Sequence, residues 1–486
     1  MNKRTKIVAT TGPASESPEI IRDLMQAGVD VFRLNFSHKS HEEAEKVVSM
    51  IREARSSLGR PAAIMADIKG PALRLYGYTA PLEIKPGTEL VIESYTGKSI
   101  ESRIASESLH VYTNLPDIDS LCAAGQKIIL MDGYFTGSVI RKKEGAVVVK
   151  LGNEGMLRPK AHLTIPGVDY PIPFLSDKDI ADITWAAEHE LEYIALSFVR
   201  CATDIEEVRR LVQRVAASSG LQGAPRLIAK IESARGLQNI NEIIAAADGI
   251  MVARGDMGVE MPIEMVPIAQ KQIIRKGYLA AKPVITATQM LESMIENPMP
   301  TRAEVSDVAN ACFDSTSAVM LSGETAMGRY PVQVVQTMRA VIETVEREFD
   351  YQEFHRDVPP EVQHGDVPAI MSYNAVSVAY RIDAAALIVL TETGHAARLL
   401  SRLRPRMPIL AFMTDEKLYH QMALNWGVCP FLHSGKGRRL DEVVEEVLGI
   451  CTRQGALRTG DRVVIVAGLP LARKGTTNMI RVETIA

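Results

Sequence analysis

Eight short apolar runs recur along the first two thirds of the chain, each ending in polar or charged residues. They are Lys6–Gly12, Val29–Asn35, Ala62–Ile68, Tyr193–Phe198, Leu227–Glu232, Gly249–Gly255, Pro283–Gln289 and Ala318–Gly323. Each is long enough for a strand buried on both faces, and most are followed by a helical pattern, which predicts a (β/α)8 TIM barrel. In such a barrel the residues just past the carboxyl end of each strand converge on one rim, however distant in sequence. Reading off those ends brings Arg33, Asn35, Ser37, Asp67, Lys69, Lys230, Glu232, Asp256, Thr288, Ser322 and Glu324 into one cavity.

The alternation breaks after the third run, at Gly70-Pro71. Short β-type stretches follow, Leu90–Glu93, Lys127–Met131 and Ala146–Leu151, separated by Gly and Pro. They predict an inserted small β-barrel lid domain over 71–167, with the barrel occupying 1–70 and 168–348. Ser176 is placed to cap a helix starting at Asp177. An insertion at the carboxyl end of a barrel strand sits over the active site, where a lid excludes water from reactive intermediates. Pro359-Pro360 and Gly365 then mark a linker. Beyond it, patterns at Val367–Arg381, Ala386–Leu390, His395–Leu403, Met407–Met413, Leu418–Trp426, Leu440–Gln454, Arg462–Ala467 and Met479–Ile485 predict a C-terminal open α/β domain, 349–486, with a mostly parallel sheet.

Composition narrows the class. At 486 residues the chain exceeds one compact core, and its net charge of −4 argues against nucleic acid as the main partner. Five widely spaced cysteines without a C-x-x-C fit reduced thiols in a cytoplasmic protein. No targeting segment and no stretch of about eighteen apolar residues is visible, so no membrane partner is expected. The nucleotide loop G-x-x-x-x-G-K-[ST] is absent, and Ser434-Gly435-Lys436-Gly437 lacks its spacing.

The strand-end motifs carry a specific resemblance. Thr5–Thr10 (TKIVAT), Arg33–His38 (RLNFSH), Asp67–Pro71 (DIKGP), Ala229–Glu232 (AKIE), Met251–Asp256 (MVARGD), Thr286–Met294 (TATQMLESM) and Met320–Thr325 (MLSGET) resemble pyruvate kinase, in that family's order. The likeness implies phosphoryl transfer from phosphoenolpyruvate to ADP, followed by protonation of the enolate of pyruvate. Glu232 and Asp256 then hold Mg²⁺ or Mn²⁺, a hard cation that takes one or two carboxylates and leaves other sites for substrate and water. Lys230, two residues before Glu232 and so on the same strand face, stabilises the phosphoryl group and the enolate oxygen. Arg33 grips the substrate phosphate through a bidentate fork. Thr288 relays a proton, since a threonine cannot change charge near neutral pH. Ser322 and Glu324 extend that relay or serve as helix cap and first-turn acid. The Ala253-Arg254-Gly255-Asp256 turn resembles the family's carboxylate site, with Arg254 as a structural ion-pair partner. Asn35, Lys69, Arg74 and Lys160 face the nucleotide, Lys160 from the lid.

Departures from the family pattern matter as well. The string Asp67-Ile68-Lys69-Gly70-Pro71-Ala72 has alanine where members that need a monovalent cation carry glutamate and independent members carry lysine. Asn35, Ser37, Asp67 and the Ile68 carbonyl still match an oxygen site for K⁺, so K⁺ dependence stays open. Asp132 stands alone where the family usually has two adjacent lid acids. The last domain resembles the family's regulatory domain. Thr391, Thr393, Gly394 and His395 stand where phosphorylated effectors bind, and Arg473–Asn478 reads either as a further anion contact or as a turn; a sugar phosphate is the expected effector. A homotetramer is implied. Two other classes share parts of this pattern: a barrel lyase or aldolase with a metal-bound enolate, and a catalytically silent sugar-phosphate-binding paralogue.

Overall fold

The computed structural model describes residues 3–95, 97, 109–168, 170–221, 223–357, 362, 365–434, 439–471 and 476–486. Pro359-Pro360, Gly435–Gly437 and Arg473–Gly475 lie outside the described residues. The chain opens with β1 (Lys6–Thr10), β2 (Val31–Asn35) and β3 (Ala63–Asp67), linked by helices Pro18–Ala27 and His41–Leu58. Both helices begin on a serine: Ser17 accepts from the Ile20 amide, and Ser40 with Glu43 forms a reciprocal capping box.

The β insertion follows as β4 (Leu75–Tyr76), β5 (Leu82–Ile84), β6 (Glu89–Ser94), β7 (His110–Thr113), β8 (Lys127–Leu130), β9 (Phe135–Lys143), β10 (Ala146–Leu151), β11 (Gly155–Leu157) and β12 (Leu163–Thr164). Its main sheet runs β12-β8-β9-β10-β6-β7-β4. A bridge between Arg74 and His162 ties the two edges, so the sheet is nearly a closed barrel with its own core. Sequence patterning misses β9, whose residues are mostly exposed and interrupted by Gly137; a strand with one wet face has little apolar signature.

The large barrel resumes at a helix that Ser176 and Asp179 cap reciprocally. Its strands are β13 (Tyr193–Leu196), β14 (Arg226–Ile231), β15 (Gly249–Ala253), β16 (Val284–Ala287) and β17 (Ala318–Leu321). All eight expected runs form strands, and they close in the order β1-β17-β16-β15-β14-β13-β3-β2, every pairing parallel. Val8, Met65, Tyr193, Ile228, Met251 and Met320 fill the barrel interior, while a larger cluster packs the strands against the outer helices.

The C-terminal sheet contains β18 (Ala386–Leu390), β19 (Ile409–Met413), β20 (Val428–Leu432), β21 (Arg462–Ala467) and β22 (Met479–Thr484). Its order is β20-β19-β18-β21-β22, parallel except for the last strand. Two details differ from the sequence expectation. The helix expected over Leu418–Trp426 ends at Gln421 and tightens into a 3₁₀ turn, Met422–Leu424. Val428–Leu432 is a strand, although Pro430 reads as a breaker; it lies at the sheet edge, where a missing N–H is tolerated. The 3₁₀ turn docks against the amino-terminal end of the large barrel. Leu424 is fully buried among the barrel's interior side chains, and the Tyr193 hydroxyl donates to the Gln421 carbonyl at 2.6 Å.

Candidate active site

Four charged side chains meet inside the rim, from the ends of β2, β3 and β14. Arg33, on β2, donates from Nε to Asp67 Oδ2 at 2.6 Å and from Nη1 to Thr10 Oγ1 at 3.1 Å. Asp67, at the end of β3, also receives Lys230 Nζ at 3.1 Å. Lys230, on β14, lies 3.0 Å from Glu232 Oε1, so residues two apart on the strand do face the same way. Asp67 is 1% exposed, Lys230 8% and Glu232 0%.

Burial is costly for every one of these charges, and pairing decides the outcome. Burial opposes ionisation of Asp67, yet Arg33 and Lys230 hold its carboxyl below the usual range. Burial also disfavours the Lys230 ammonium, but Asp67 and Glu232 outweigh it and raise its pKa. Glu232 goes the other way. Burial and the nearby Asp256 push its carboxyl above the ordinary value against the pull of Lys230. Its Oε2 accepts the Phe198 amide, whereas Oε1 is buried without a hydrogen bond despite its closeness to Lys230. A buried carboxylate oxygen left in this state, repelled by a second acid, is the donor set a hard cation requires. Among the described residues no cluster of three or more His, Cys, Asp or Glu is poised for a metal, so a cation here would rest on two carboxylates.

The other expected residues stand at the ends of β15, β16 and β17. Thr288 follows β16 with φ of 67°, a left-handed conformation costly for a β-branched residue. Its Oγ1 accepts the Gly255 amide at 3.0 Å and donates to the Ala287 carbonyl at 2.7 Å. Ala253 precedes the seven-residue helix Arg254–Glu260, whose first turn contains Asp256. Arg254 is paired with Asp307 at 2.7 Å. Ser322 makes no side-chain cap, and its buried Oγ has no hydrogen-bond partner; Glu324 instead accepts the Ser322 amide at 2.6 Å and the Leu291 amide at 3.2 Å.

Asn35 pairs in register with Asp67, and its Oδ1 accepts the Ser37 amide at 3.1 Å. Lys69, Arg74 and Lys160 form a second, cationic group. Burial, then Arg74 and Lys160 among its neighbours, lowers the Lys69 pKa, and Arg74 Nη1 donates to the Lys160 carbonyl at 3.0 Å. On the lid, Asp132 and His162 pair at 2.8 Å, and the His162 ring meets Phe198 edge-on at 5.9 Å, a direct lid-to-barrel contact.

Thr391, Thr393, Gly394 and His395 sit apart, toward the opposite end of the barrel. The Thr391 hydroxyl accepts the Gly394 amide at 3.0 Å, and Gly394, with φ of 74°, precedes the helix starting at His395. The Thr393 carbonyl accepts from Arg226 at 3.0 Å and from Arg398 at 3.3 Å. Arg226 opens β14, the strand that carries Lys230 near its other end.

Sequence reasoning passed over Ser197, the Phe198 amide, Thr10 and Glu260. Ser197 lies one residue before the end of the fourth apolar run, where nothing in the sequence marks its hydroxyl as a partner of Lys230. Glu260 was not legible either: burial and Asp256 push its carboxyl up to about 7, and nothing in the sequence tells that it lines the 460 Å³ cleft between lid and barrel.

A closed parallel eight-stranded barrel with its charged cluster at the carboxyl ends of the strands defines a TIM-barrel protein with its candidate site at the rim that such barrels use for catalysis. The pyruvate kinase barrel-domain model matches residues 2–335, and the pyruvate kinase α/β-domain model matches 370–483. A pyruvate kinase from Geobacillus stearothermophilus is 40% identical over 100% of this chain and 81% of its own length. One from Chlamydia muridarum is 39% identical over 96% of this chain and 94% of its own. A crystal structure of a pyruvate kinase from Cryptosporidium parvum superposes with a TM-score of 0.91 at 32% identity, covering 100% of this chain and 97% of that one. The chain belongs to the pyruvate kinase family and is a phosphotransferase enzyme of glycolysis. Among the described residues no helix is long and apolar enough to cross a membrane.

Proposed function

We propose that this chain moves the phosphoryl group of phosphoenolpyruvate to ADP through the rim centre, with Lys230 as the cation that stabilises charge on the phosphoryl group and the enolate. One observation carries the reading: Lys230 is buried yet kept charged by Asp67 and Glu232, directly beside Arg33's carboxylate partner. A fixed cation in a dry site acts on developing charge far more strongly than one in water. Arg33 is anchored through Nε, with its Nη1 held by Thr10, so its guanidinium plane is fixed for a phosphate. The Thr288 hydroxyl, which accepts the Gly255 amide and donates to the Ala287 carbonyl, relays a proton to the enolate carbon once it turns from that carbonyl.

Glu232 and Asp256 fit a divalent cation such as Mg²⁺ or Mn²⁺, on the strength of the orphaned Oε1. Such an ion, when bound, neutralises negative charge on the transferring group. Asn35, Lys69, Arg74 and Lys160 supply the nucleotide side. Asn35, Ser37, Asp67 and the Ile68 carbonyl supply oxygens for K⁺, with Ala72 contributing no charge. The Thr391–His395 loop receives a sugar phosphate, and the chain works as a cytoplasmic homotetramer. The test is pyruvate formation from phosphoenolpyruvate and ADP with Mg²⁺, in the presence and absence of K⁺. Turnover dependent on both substrates and on Mg²⁺ supports the reading. Phosphoenolpyruvate binding without turnover in either salt refutes it.

A further inference from the structure

Ser197, immediately after β13, is 4% exposed and occupies the junction of two parts of the site. Its Oγ accepts from Lys230 Nζ at 2.7 Å and donates to the Ile68 carbonyl at 2.7 Å; Asp67 Oδ1 is 3.4 Å away. A hydroxyl has one proton to give, and giving it to Ile68 fixes the lone pairs toward Lys230.

An ammonium has three donors. Those of Lys230 face Ser197 Oγ at 2.7 Å, Asp67 Oδ1 at 3.1 Å and Glu232 Oε1 at 3.0 Å. The first two contacts are hydrogen bonds. The third has the distance of an ion pair without hydrogen-bond alignment, since Glu232 Oε1 has no hydrogen-bond partner. Two hydrogen bonds and one ion pair therefore fix the nitrogen. Asp67 sets the charge balance, and Ser197, being neutral, sets direction alone.

The backbone around Ser197 is built for this task. Phe198 adopts φ of 55° and turns its amide onto Glu232 Oε2. A side chain at that φ is disfavoured and persists only where the surroundings enforce it. Gly70, at φ of 69°, lets the β3 loop approach: a Cβ there would lie 2.6 Å from the Ser197 carbonyl oxygen. Consecutive residues thus hold the lysine through a side chain and the glutamate through an amide.

We infer that Ser197 is a positioning residue that holds the Lys230 ammonium where it meets the substrate oxygen. The inference rests on Lys230 being the catalytic cation. Ser197→Ala removes the acceptor without changing charge, and Ser197→Cys substitutes a weak one at similar size. Misplacing a fixed catalytic group by a fraction of its contact distance costs on the order of 10- to 100-fold in rate. Both variants are expected to lose kcat in that range with KM for phosphoenolpyruvate changed less than about threefold. Deuterium exchange into the methyl group of pyruvate, followed without nucleotide, slows in parallel, because the same ammonium serves the enolate. Lys230→Met is measured beside them. If Lys230→Met stays active, the reading of Lys230 falls. If it collapses while either folded Ser197 variant keeps wild-type kcat and exchange, or shows only a raised KM, the inference about Ser197 is overturned. Should Ser197→Ala not fold, Ser197→Cys decides on the same criteria.

Discussion

Replacing Lys230 with Met tests the charge balance of the rim in two independent ways. The buried centre holds two cations, Arg33 and Lys230, against two carboxylates, Asp67 and Glu232. Methionine keeps most of the side-chain volume, so packing is retained while one positive charge is lost. Breaking a buried pair in this manner costs about 3–5 kcal/mol when the remaining charge has no relief. Here Glu232 offers relief, since burial and Asp256 already raise its pKa and loss of Lys230 raises it further. The folded variant then holds a proton that the unfolded chain, with an ordinary carboxyl near 4.5, gives up. Stability accordingly falls as pH rises through the raised value. Thermal unfolding is expected to show a smaller loss at pH 6 than at pH 9. Turnover, read as pyruvate formation, is expected to fall by about 10²–10³ at either pH, the range for removing one fixed stabiliser of transition-state charge. A kcat within threefold of the parent refutes the catalytic argument. Equal stability losses at the two pH values refute the electrostatic one.

Three further outcomes follow from separate parts of the molecule. Gly70→Ala places a Cβ 2.6 Å from the Ser197 carbonyl at a left-handed φ, so a stability loss of about 1–3 kcal/mol with reduced kcat is expected by denaturation and kinetics; unchanged values for both count against the close approach. Glu260, pushed up to about 7 by burial and then by Asp256, binds more protons folded than unfolded, so stability falls as pH rises from about 4.5 to 7. Glu260→Gln removes that part of the decline, and melting curves that stay parallel to the parent between pH 5 and 8 would falsify the assignment. Arg404, 2% exposed, donates to the Ser401 and Ser315 carbonyls at 2.7 Å and lies 4.9 Å over the Trp426 ring. Arg404→Met strands the buried Ser315 carbonyl at about 1–3 kcal/mol, while the Ser401 carbonyl keeps the amide of residue 404, lowering the unfolding temperature by a few degrees with kcat nearly unchanged; a melting temperature within 1 °C of the parent contradicts this.

The barrel was legible because buried parallel strands are nearly continuous apolar runs, and a polar residue at each end stands out against them. That rule put Arg33, Asp67, Lys230 and Glu232 together from residues up to 199 positions apart, and the structure joins them by direct contacts. It failed where burial comes from another part of the chain. Glu260 is covered by the lid cleft, and Arg404 by the barrel's underside; both look like surface charges in sequence. Ser197 failed for a different reason, since a serine at a strand end carries no sign of which neighbour its hydroxyl will serve. The sequence patterns leave Val428–Leu432 unassigned, and its Pro430 is tolerated because β20 lies at the sheet edge.

Leu424 gives the molecule a schedule for folding. The last barrel strand ends at Leu321, but the side chain that completes the barrel's interior packing arrives about one hundred residues later, from beyond β19. At about 5–20 residues per second, a nascent chain with all eight strands made waits roughly 5–20 s with the floor of its barrel uncovered. Through that interval Tyr193, Val8 and Ile228 lack the Leu424 side chain that packs with them in the finished fold. Synthesis of the C-terminal domain is therefore a late step in packing the catalytic one, and a chain cut short before Leu424 leaves that part of the barrel interior without its cover although every residue of the rim centre has been translated.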